Sequence, residues 1–252
     1  MKLDGKAVIV TGGAGGIGRG ISTACAAEGA GVLIVDLDQE AGDAAVREIT
    51  EAVPGARVAF LAADIGAAGT AEAVRDAAVA EFGRIDVLVN NAHASRQAPL
   101  LEHTDEMFEL SFGTGFFATY RLMRACHAHL AERGGSIVNF ASGAGLNGQP
   151  NQASYAAAKE AIRGLSRVAA HEWARDGIRV NLVSPIARTA GVEAWSKTHA
   201  EQYERMLGTI PLGRLGDPRE DIAPVVVFLA CDDSRYMTGQ TLMADGGTVM
   251  LR

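Results

Sequence analysis

The sequence predicts an α/β fold, namely a doubly wound parallel sheet of about seven strands with helices on both faces. Three observations predict it. Short apolar, β-branched runs alternate with longer helical segments, a glycine-rich turn follows the first run, and no Pro/Gly/Ser-rich linker divides the 252 residues. Apolar strands separated by helices form parallel sheets covered on both faces, with right-handed crossovers. We therefore expect a single Rossmann-like domain over residues 1–252.

The individual elements follow from residue type and periodicity. Strands are predicted where β-branched and aliphatic residues concentrate: Ala7–Val10, Val32–Asp36, Val58–Ala62, Val87–Asn90, Ser136–Phe140, Arg179–Val183 and Gln240–Met243. Helices are predicted where Ala, Glu and Arg recur: Gly18–Glu28, Glu40–Ala52, Thr70–Phe82, Asp105–Glu132, Ala153–Arg175 and Arg219–Ala230. The long connection 190–212 follows the sixth strand at its carboxyl end, a position suited to a substrate lid. An ordinary surface helix packed on the core is the alternative.

Composition and spacing argue against several kinds of partner. The formal net charge is −7, so the chain has no general attraction for nucleic acid or an anionic membrane. Cys25, Cys126 and Cys231 are far apart and the histidines lack metal-ligand spacing, so we expect reduced thiols and no metal. No apolar run approaches the roughly 20 residues of a membrane span. We therefore expect a cytoplasmic protein.

The first predicted strand leads into a glycine-rich turn, Thr11-Gly12-Gly13-Ala14-Gly15-Gly16-Ile17-Gly18, and a predicted helix follows. Glycines let the backbone approach a pyrophosphate closely, and the helix N-terminus supplies N–H donors for it. Strand, turn and helix occur in the order that a dinucleotide-binding site requires. A tight turn that binds nothing is the alternative.

Asp36 ends the second predicted strand, eighteen residues after Gly18. A carboxylate there can accept hydrogen bonds from both hydroxyls of an adenosine ribose, and it repels a 2′-phosphate. Leu37 follows, so no basic residue stands ready to bind that phosphate. These residues predict NAD rather than NADP as the cofactor, unless Asp36 is only a solvated carboxylate at a strand end.

Tyr155 and Lys159 are spaced i and i+4 on a predicted helix, so their side chains share one face. A free phenol has a pKa of about 10 and is a poor base at neutral pH. A nearby ammonium and a positively charged nicotinamide favour the phenolate, which can take an alcohol's proton while hydride leaves for the nicotinamide. Ser142, after the fifth strand, could donate to the substrate oxygen. Taken alone, Ser142 also fits a serine that forms a turn. Tyr155 and Lys159, taken alone, also fit a pair on a helix surface.

From about Leu3 to Gly247 the chain resembles a short-chain dehydrogenase/reductase. The matching motifs are Thr11-Gly12 with Gly16-Ile17-Gly18, Asp64, Asn90-Asn91-Ala92, Ser142 with Tyr155 and Lys159, Asn181 with Pro185, Pro211-Leu212-Gly213-Arg214, Thr238-Gly239-Gln240 and Asp245-Gly246-Gly247.

The resemblance implies a role for each matching residue. The glycine-rich turn, with Gly12, Gly15, Gly16, Ile17 and Gly18, would hold the pyrophosphate, and Asp64 with Ile65 the adenine. Asn90 would line the nicotinamide ribose and Thr189 would approach the carboxamide, while Ala92 and Pro185 would also contact the cofactor. Tyr155 would be the acid/base, Ser142 would hold the substrate oxygen, and Lys159 would bind the ribose and lower the pKa of Tyr155. Homotetramers, or homodimers, paired through the helices 105–132 and 153–175 would be expected.

Three positions depart from the family pattern. His93 stands where glycine is usual after Asn-Asn-Ala, and its imidazole either contacts substrate or is a partly exposed structural residue. Ser111 aligns with an asparagine that anchors a water in proton transfer, and a hydroxyl makes fewer hydrogen bonds than an amide. Ile186 replaces a glycine after Pro185.

These inferences predict an NAD-dependent alcohol dehydrogenase or carbonyl reductase that transfers hydride between a secondary alcohol or ketone and nicotinamide. A partly apolar substrate pocket is expected from Leu146, Ile186, Trp195, Tyr203 and Met206, which suits cyclic alcohols, steroids or aliphatic diols. A 3-oxoacyl thioester reductase of the same family is the first alternative, although such reductases mostly prefer NADPH. A dinucleotide-binding regulator with little turnover is the second.

Overall fold

The computed structural model describes residues 1–250, and residues 251 and 252 of the predicted domain lie outside that range. Seven strands form one parallel sheet in the order β3-β2-β1-β4-β5-β6-β7. They are β1 Ala7–Thr11, β2 Gly31–Asp36, β3 Val58–Ala62, β4 Val87–Asn90, β5 Ser136–Phe140, β6 Arg179–Pro185 and β7 Thr241–Ala244. The predicted fold class is confirmed, and strand limits differ from the predictions by two residues at most.

Ten α-helices accompany the sheet within the described residues. They are α1 Gly16–Ala27, α2 Gln39–Ala52, α3 Thr70–Phe82, α4 Asp105–Ser111, α5 Ala118–Ala131, α6 Gly143–Asn147, α7 Ala153–Glu172, α8 Ala190–Thr198, α9 Ala200–Gly208 and α10 Ala223–Ala230. None of them is long and apolar enough to cross a membrane.

The hydrophobic core is split by the sheet into two layers. Because successive side chains of a strand point to opposite faces, Val8 and Val10 of β1 pack on one side and Ile9 on the other. The first layer buries α1, α2 and α10 against the sheet. The second layer buries α3, α5 and part of α7. This two-sided burial explains why the strands are continuously apolar rather than alternating.

The predicted helix Asp105–Glu132 is interrupted, and this prediction was wrong in detail. Residues Phe112–Phe117 form a π-helical turn between α4 and α5. Gly113 and Gly115 lie inside it, and glycine weakens regular α-helix while π turns are frequent at functional sites. The apolar periodicity continues across the turn, so the sequence pattern alone does not reveal it.

Residues 190–212 contain two short helices, α8 and α9. Thr189 caps α8 by accepting a hydrogen bond from the Val192 N–H at 3.4 Å. No residue of either helix is buried. Both helices are therefore exposed or half-buried throughout, and the role of the segment as a substrate lid stays a prediction.

Candidate active site

A groove runs along the carboxyl edge of the sheet, where the strand order reverses between β1 and β4. In such sheets, ligands bind at this switch point. A cavity of about 400 Å³ there is lined by Gly12, Gly15, Val35, Asp36, Leu37, Ala63, Asp64, Ile65, Asn91, Ala92, His93, Ala94 and Thr114. Eight of the residues predicted to contact cofactor or substrate thus meet in one groove, although they come from four different strand ends.

The glycine-rich turn is shaped so that an anion can approach the backbone. Gly12 and Gly16 have φ angles of +63° and +49°, which side-chain-bearing residues rarely adopt. A Cβ on Gly18 would lie 2.0 Å from the Gly12 carbonyl oxygen, so only glycine allows strand and helix to come this close. No side chain caps α1 at Gly15, which leaves its first N–H groups available for phosphate oxygens. The turn therefore fits a dinucleotide pyrophosphate.

Asp36 is fixed in place at the end of β2. Its Oδ2 accepts a hydrogen bond from the Ala14 N–H at 3.0 Å, and its Oδ1 accepts one from the Leu37 N–H at 2.8 Å. A carboxylate has further acceptor capacity beyond these two bonds. The nearby Arg19 is engaged elsewhere, with Glu48 at 2.6 Å and the Ala14 carbonyl at 3.1 Å. Beside the turn, the described residues thus provide a carboxylate, and the nearby cation, Arg19, is already bonded to other groups.

Asn90 was predicted to lie along the nicotinamide half of a cofactor, but its side chain points into the protein. Its Nδ2 donates to Asn139 Oδ1 at 2.8 Å, and its own Oδ1 is buried without a hydrogen-bond partner among residues 1–250. The next residue, Asn91, lines the groove instead. Thr189 lies across the groove, since its Cγ2 would be 3.5 Å from a Cβ on Gly16.

Ser142, Tyr155 and Lys159 are brought to the same end of the sheet by α6 and α7. Ser142 caps α6 by accepting a hydrogen bond from the Ala144 N–H at 3.2 Å. Tyr155 lies in the first turn of α7, and Lys159 follows one turn later with its Nζ 5.6 Å from the centre of the phenol ring. The i, i+4 spacing places both side chains on one helix face, as predicted.

Burial dominates the electrostatics of this cluster. It raises the pKa of Tyr155, and a hydrogen bond with Ser142 opposes this only in part. Burial also lowers the pKa of Lys159 to about 7, so its charge is reduced at neutral pH. The protein's own groups therefore keep the phenol protonated, and the lowering of its pKa by Lys159 together with a bound nicotinamide stays a prediction.

Replacing Lys159 with methionine should stabilise the fold at neutral pH. Because burial lowers the pKa of Lys159 from 10.5 to about 7, the unfolded chain binds more protons between these values, and the free energy of unfolding of the wild type rises with pH. Lys159→Met should raise that free energy at pH 7 by at least about 1 kcal/mol and flatten its rise between pH 7 and 9. Urea unfolding checks this, with the exposed Lys197→Met as the matched control. A destabilised Lys159→Met would contradict the desolvation argument.

His93 and Ser111, both departures from the family pattern, contact each other. Ser111 is completely buried, its Oγ lies 2.8 Å from His93 Nε2, and it donates a hydrogen bond to the Ser154 carbonyl at 3.1 Å. The Ser111 hydroxyl is thus bonded to protein groups, and its role in proton transfer stays a prediction.

The predicted substrate residues come from several elements. Trp195 of α8 and Tyr203 of α9 contact each other, with ring centres 6.4 Å apart. Ile186 lines a cavity of about 490 Å³ together with residues of the segment 211–216. Leu146 lies in α6 and Met206 in α9, both half-buried. Their common role in a substrate pocket stays a prediction.

Sequence reasoning missed four residues that build the groove. Asn91 Nδ2 donates to the carbonyls of Thr11 and Gly12 at 2.9 and 3.2 Å, and Thr11 Oγ1 accepts from the Asn91 and Ala92 N–H groups at 3.1 Å. Thr114 Oγ1 accepts from the Ala94 N–H at 3.0 Å. Gly115 makes room for His93, as described below. Thr11 and Asn91 belonged to recognisable motifs, whereas the contacts of Thr114 and Gly115 depend on the π turn.

No cluster of three or more potential His, Cys, Asp or Glu metal ligands occurs within the described part of the chain.

Comparison with known proteins agrees with this geometry. A family model described as enoyl-(acyl carrier protein) reductase matches residues 12–249. The chain is 47% identical to a 12alpha-hydroxysteroid dehydrogenase of a Clostridium species, covering 97% of both proteins. It is 37% identical to a 3-oxoacyl-[acyl-carrier-protein] reductase of Thermotoga maritima, covering 99% of this chain and 100% of that protein. The crystal structure of levodione reductase matches with a TM-score of 0.92 and 33% identity, covering 97% of this chain and 98% of that chain.

The matched regions include the residues of the groove, the glycine-rich turn and the cluster of Ser142, Tyr155 and Lys159. They confirm the resemblance inferred from the motifs, and with it the use of a nicotinamide cofactor. The chain belongs to the short-chain dehydrogenase/reductase family of oxidoreductases.

Proposed function

We propose that this protein is an NAD-dependent dehydrogenase that oxidises a secondary alcohol to a ketone, or catalyses the reverse reaction. The observation that supports this proposal is the cluster of Ser142, Tyr155 and Lys159 at the edge of a groove whose glycine-rich turn fits a dinucleotide. A bound nicotinamide would supply the hydride acceptor or donor. Each of the three side chains then has a separate task on the substrate oxygen or its proton.

Tyr155 exchanges the proton of the substrate hydroxyl through its Oη. Because burial keeps the phenol protonated, it is ready to donate to a ketone oxygen, and alcohol oxidation needs added positive charge beside the ring. Ser142 donates a hydrogen bond to the same substrate oxygen and stabilises the negative charge that develops there. Lys159 supplies part of the positive charge that favours the phenolate.

The preference for NAD over NADP rests on Asp36. Its carboxylate is held by two backbone N–H groups at the rim of the groove, with acceptor capacity left for ribose hydroxyls. Leu37 beside it is 73% exposed and carries no charge. A 2′-phosphate at this position would meet a fixed negative charge without a compensating cation.

For the substrate we propose a hydroxysteroid or an alcohol of similar shape. The support is the 47% identity over nearly the whole length with a 12alpha-hydroxysteroid dehydrogenase, and the aromatic pair Trp195 and Tyr203 on helices beside the groove. We further propose that α8 and α9 act as the substrate lid. The second candidate, reduction of a 3-oxoacyl thioester, is favoured by the 37% identical reductase and disfavoured by Asp36.

A substrate panel with each nicotinamide cofactor tests this proposal. We expect NAD reduction at alkaline pH with 12α-hydroxysteroids, and weaker rates with small secondary alcohols and aliphatic diols. Faster reduction of 3-oxoacyl thioesters by NADPH would favour the second candidate. NAD binding without turnover across the whole panel would instead indicate a dinucleotide-binding regulator.

We also propose a homotetramer, or a homodimer, formed through α5 and α7. Large apolar side chains are exposed on or beside these helices, namely Phe117, Tyr120 and Val168, and such surfaces favour association between copies. A cytoplasmic location is proposed because the three cysteines are all buried free thiols, as expected in a reducing compartment.

A further inference from the structure

A buried polar atom without a hydrogen-bond partner lies beside Tyr155. His93 Nδ1 is buried and has no hydrogen-bond partner among residues 1–250. Lys159 is also buried, with 4% exposure. Both side chains lie close to the phenol, with the His93 ring centre at 4.9 Å and Lys159 Nζ at 5.6 Å from its centre. Unsatisfied buried polar atoms are rare in folded proteins and mark positions that a ligand satisfies.

The bonds of Ser111 determine which nitrogen of His93 carries the proton. The Ser111 hydroxyl hydrogen is directed to the Ser154 carbonyl, so Ser111 Oγ is left to accept from His93 Nε2 at 2.8 Å. This arrangement satisfies both groups, whereas the opposite tautomer leaves the serine oxygen without a donor. The proton is therefore on Nε2, and Nδ1 is a hydrogen-bond acceptor.

The imidazole is also held in place and kept neutral. A Cβ on Gly115 would lie 2.7 Å from His93 Cε1 and 2.9 Å from Nδ1, so the ring fits only because the π turn presents a glycine. Burial, together with the positive charge of Lys159, lowers the pKa of His93 to about 3. No carboxylate forms an ion pair with either side chain among the described residues. His93 is thus an uncharged, oriented acceptor across the working pH range.

We propose that His93 Nδ1 accepts a hydrogen bond from one hydroxyl group beside Tyr155. A hydroxyl is a neutral donor that can satisfy this isolated acceptor. The inference deepens the proposed function. The hydroxyl comes either from the nicotinamide ribose of the cofactor or from the substrate. Ser111 and Gly115 are then positioning residues that act through His93.

Two His93 variants test the acceptor, because His93→Phe keeps a ring but has no acceptor and His93→Gln retains one. The direct readout is the Kd for NADH, followed by cofactor fluorescence without substrate. If the ribose supplies the hydroxyl, His93→Phe should weaken NADH binding about tenfold, which corresponds to the loss of roughly one hydrogen bond, and His93→Gln should recover most of it. If the substrate supplies it, the Kd should stay constant while KM for the substrate rises about tenfold in His93→Phe.

Binding of AMP serves as the folding control, because in the proposed binding mode its ribose lies at Asp36 and not at His93. Ser111→Ala, which frees the imidazole, should show a weaker version of the His93→Phe effect. Unchanged Kd for NADH together with unchanged KM in His93→Phe would overturn the inference. The Kd for NADH is measured without turnover. Failure to find a substrate would therefore count against the proposed function, but the effect of His93→Phe on NADH binding would still test this inference.

Discussion

Tyr155→Phe should lower kcat by about a thousandfold or more with any substrate that the wild type turns over. The variant removes the one hydroxyl placed to exchange the substrate proton, and general acid–base catalysis contributes roughly 10²–10⁴. The ring itself stays, so contacts with His93 and Lys159 are kept. Steady-state kinetics across pH 6–10, together with the Kd for NADH, separate loss of chemistry from loss of binding.

The matched control is Tyr203→Phe, which removes a phenol hydroxyl from α9 rather than from the cluster. We expect this variant to retain kcat within a few-fold. If Tyr155→Phe retained full activity on an established substrate, the assignment of Tyr155 as acid/base would be wrong. If Tyr203→Phe lost as much activity as Tyr155→Phe, the Tyr203 hydroxyl would need a direct role in the reaction.

Replacing Asp36 with alanine and Leu37 with arginine should reverse the cofactor preference. The double variant removes a fixed carboxylate and adds a guanidinium that suits a 2′-phosphate. We expect the ratio of kcat/KM for NADP to that for NAD to rise about a thousandfold, which corresponds to about 4 kcal/mol of differential binding. The measurement is initial-rate kinetics with both cofactors at matched ionic strength, since the effect is electrostatic.

The single variants divide this effect between its two causes. Asp36→Asn keeps an acceptor for the Ala14 N–H while removing the charge, so it should relax the preference without creating strong NADP binding. Leu37→Arg alone should gain little, because Asp36 still repels the phosphate. A wild type that already used NADP as efficiently as NAD would refute the role assigned to Asp36.

The strands and most helices were predictable because burial on both faces leaves a direct signature in the chain. Helix α3 begins and ends as predicted, at Thr70 and Phe82, because a glycine flanks it on each side. The π turn was not predictable, since inserting one residue into a helix changes which side chains meet without changing the residue types. Helices α8 and α9 were not predicted as separate helices because they bury no apolar face.

The sequence by itself determined the doubly wound sheet, the glycine-rich turn, the carboxylate at Asp36 and the Tyr155–Lys159 pair. Each of these depends on local periodicity or on spacing within one element, which neighbouring residues specify. Only the tertiary structure decided that Asn90 points inward, that burial raises the pKa of Tyr155, and that His93 meets Ser111 over Gly115. These outcomes depend on burial and on contacts between distant segments, and solvent exclusion and packing arise only when the whole chain is folded.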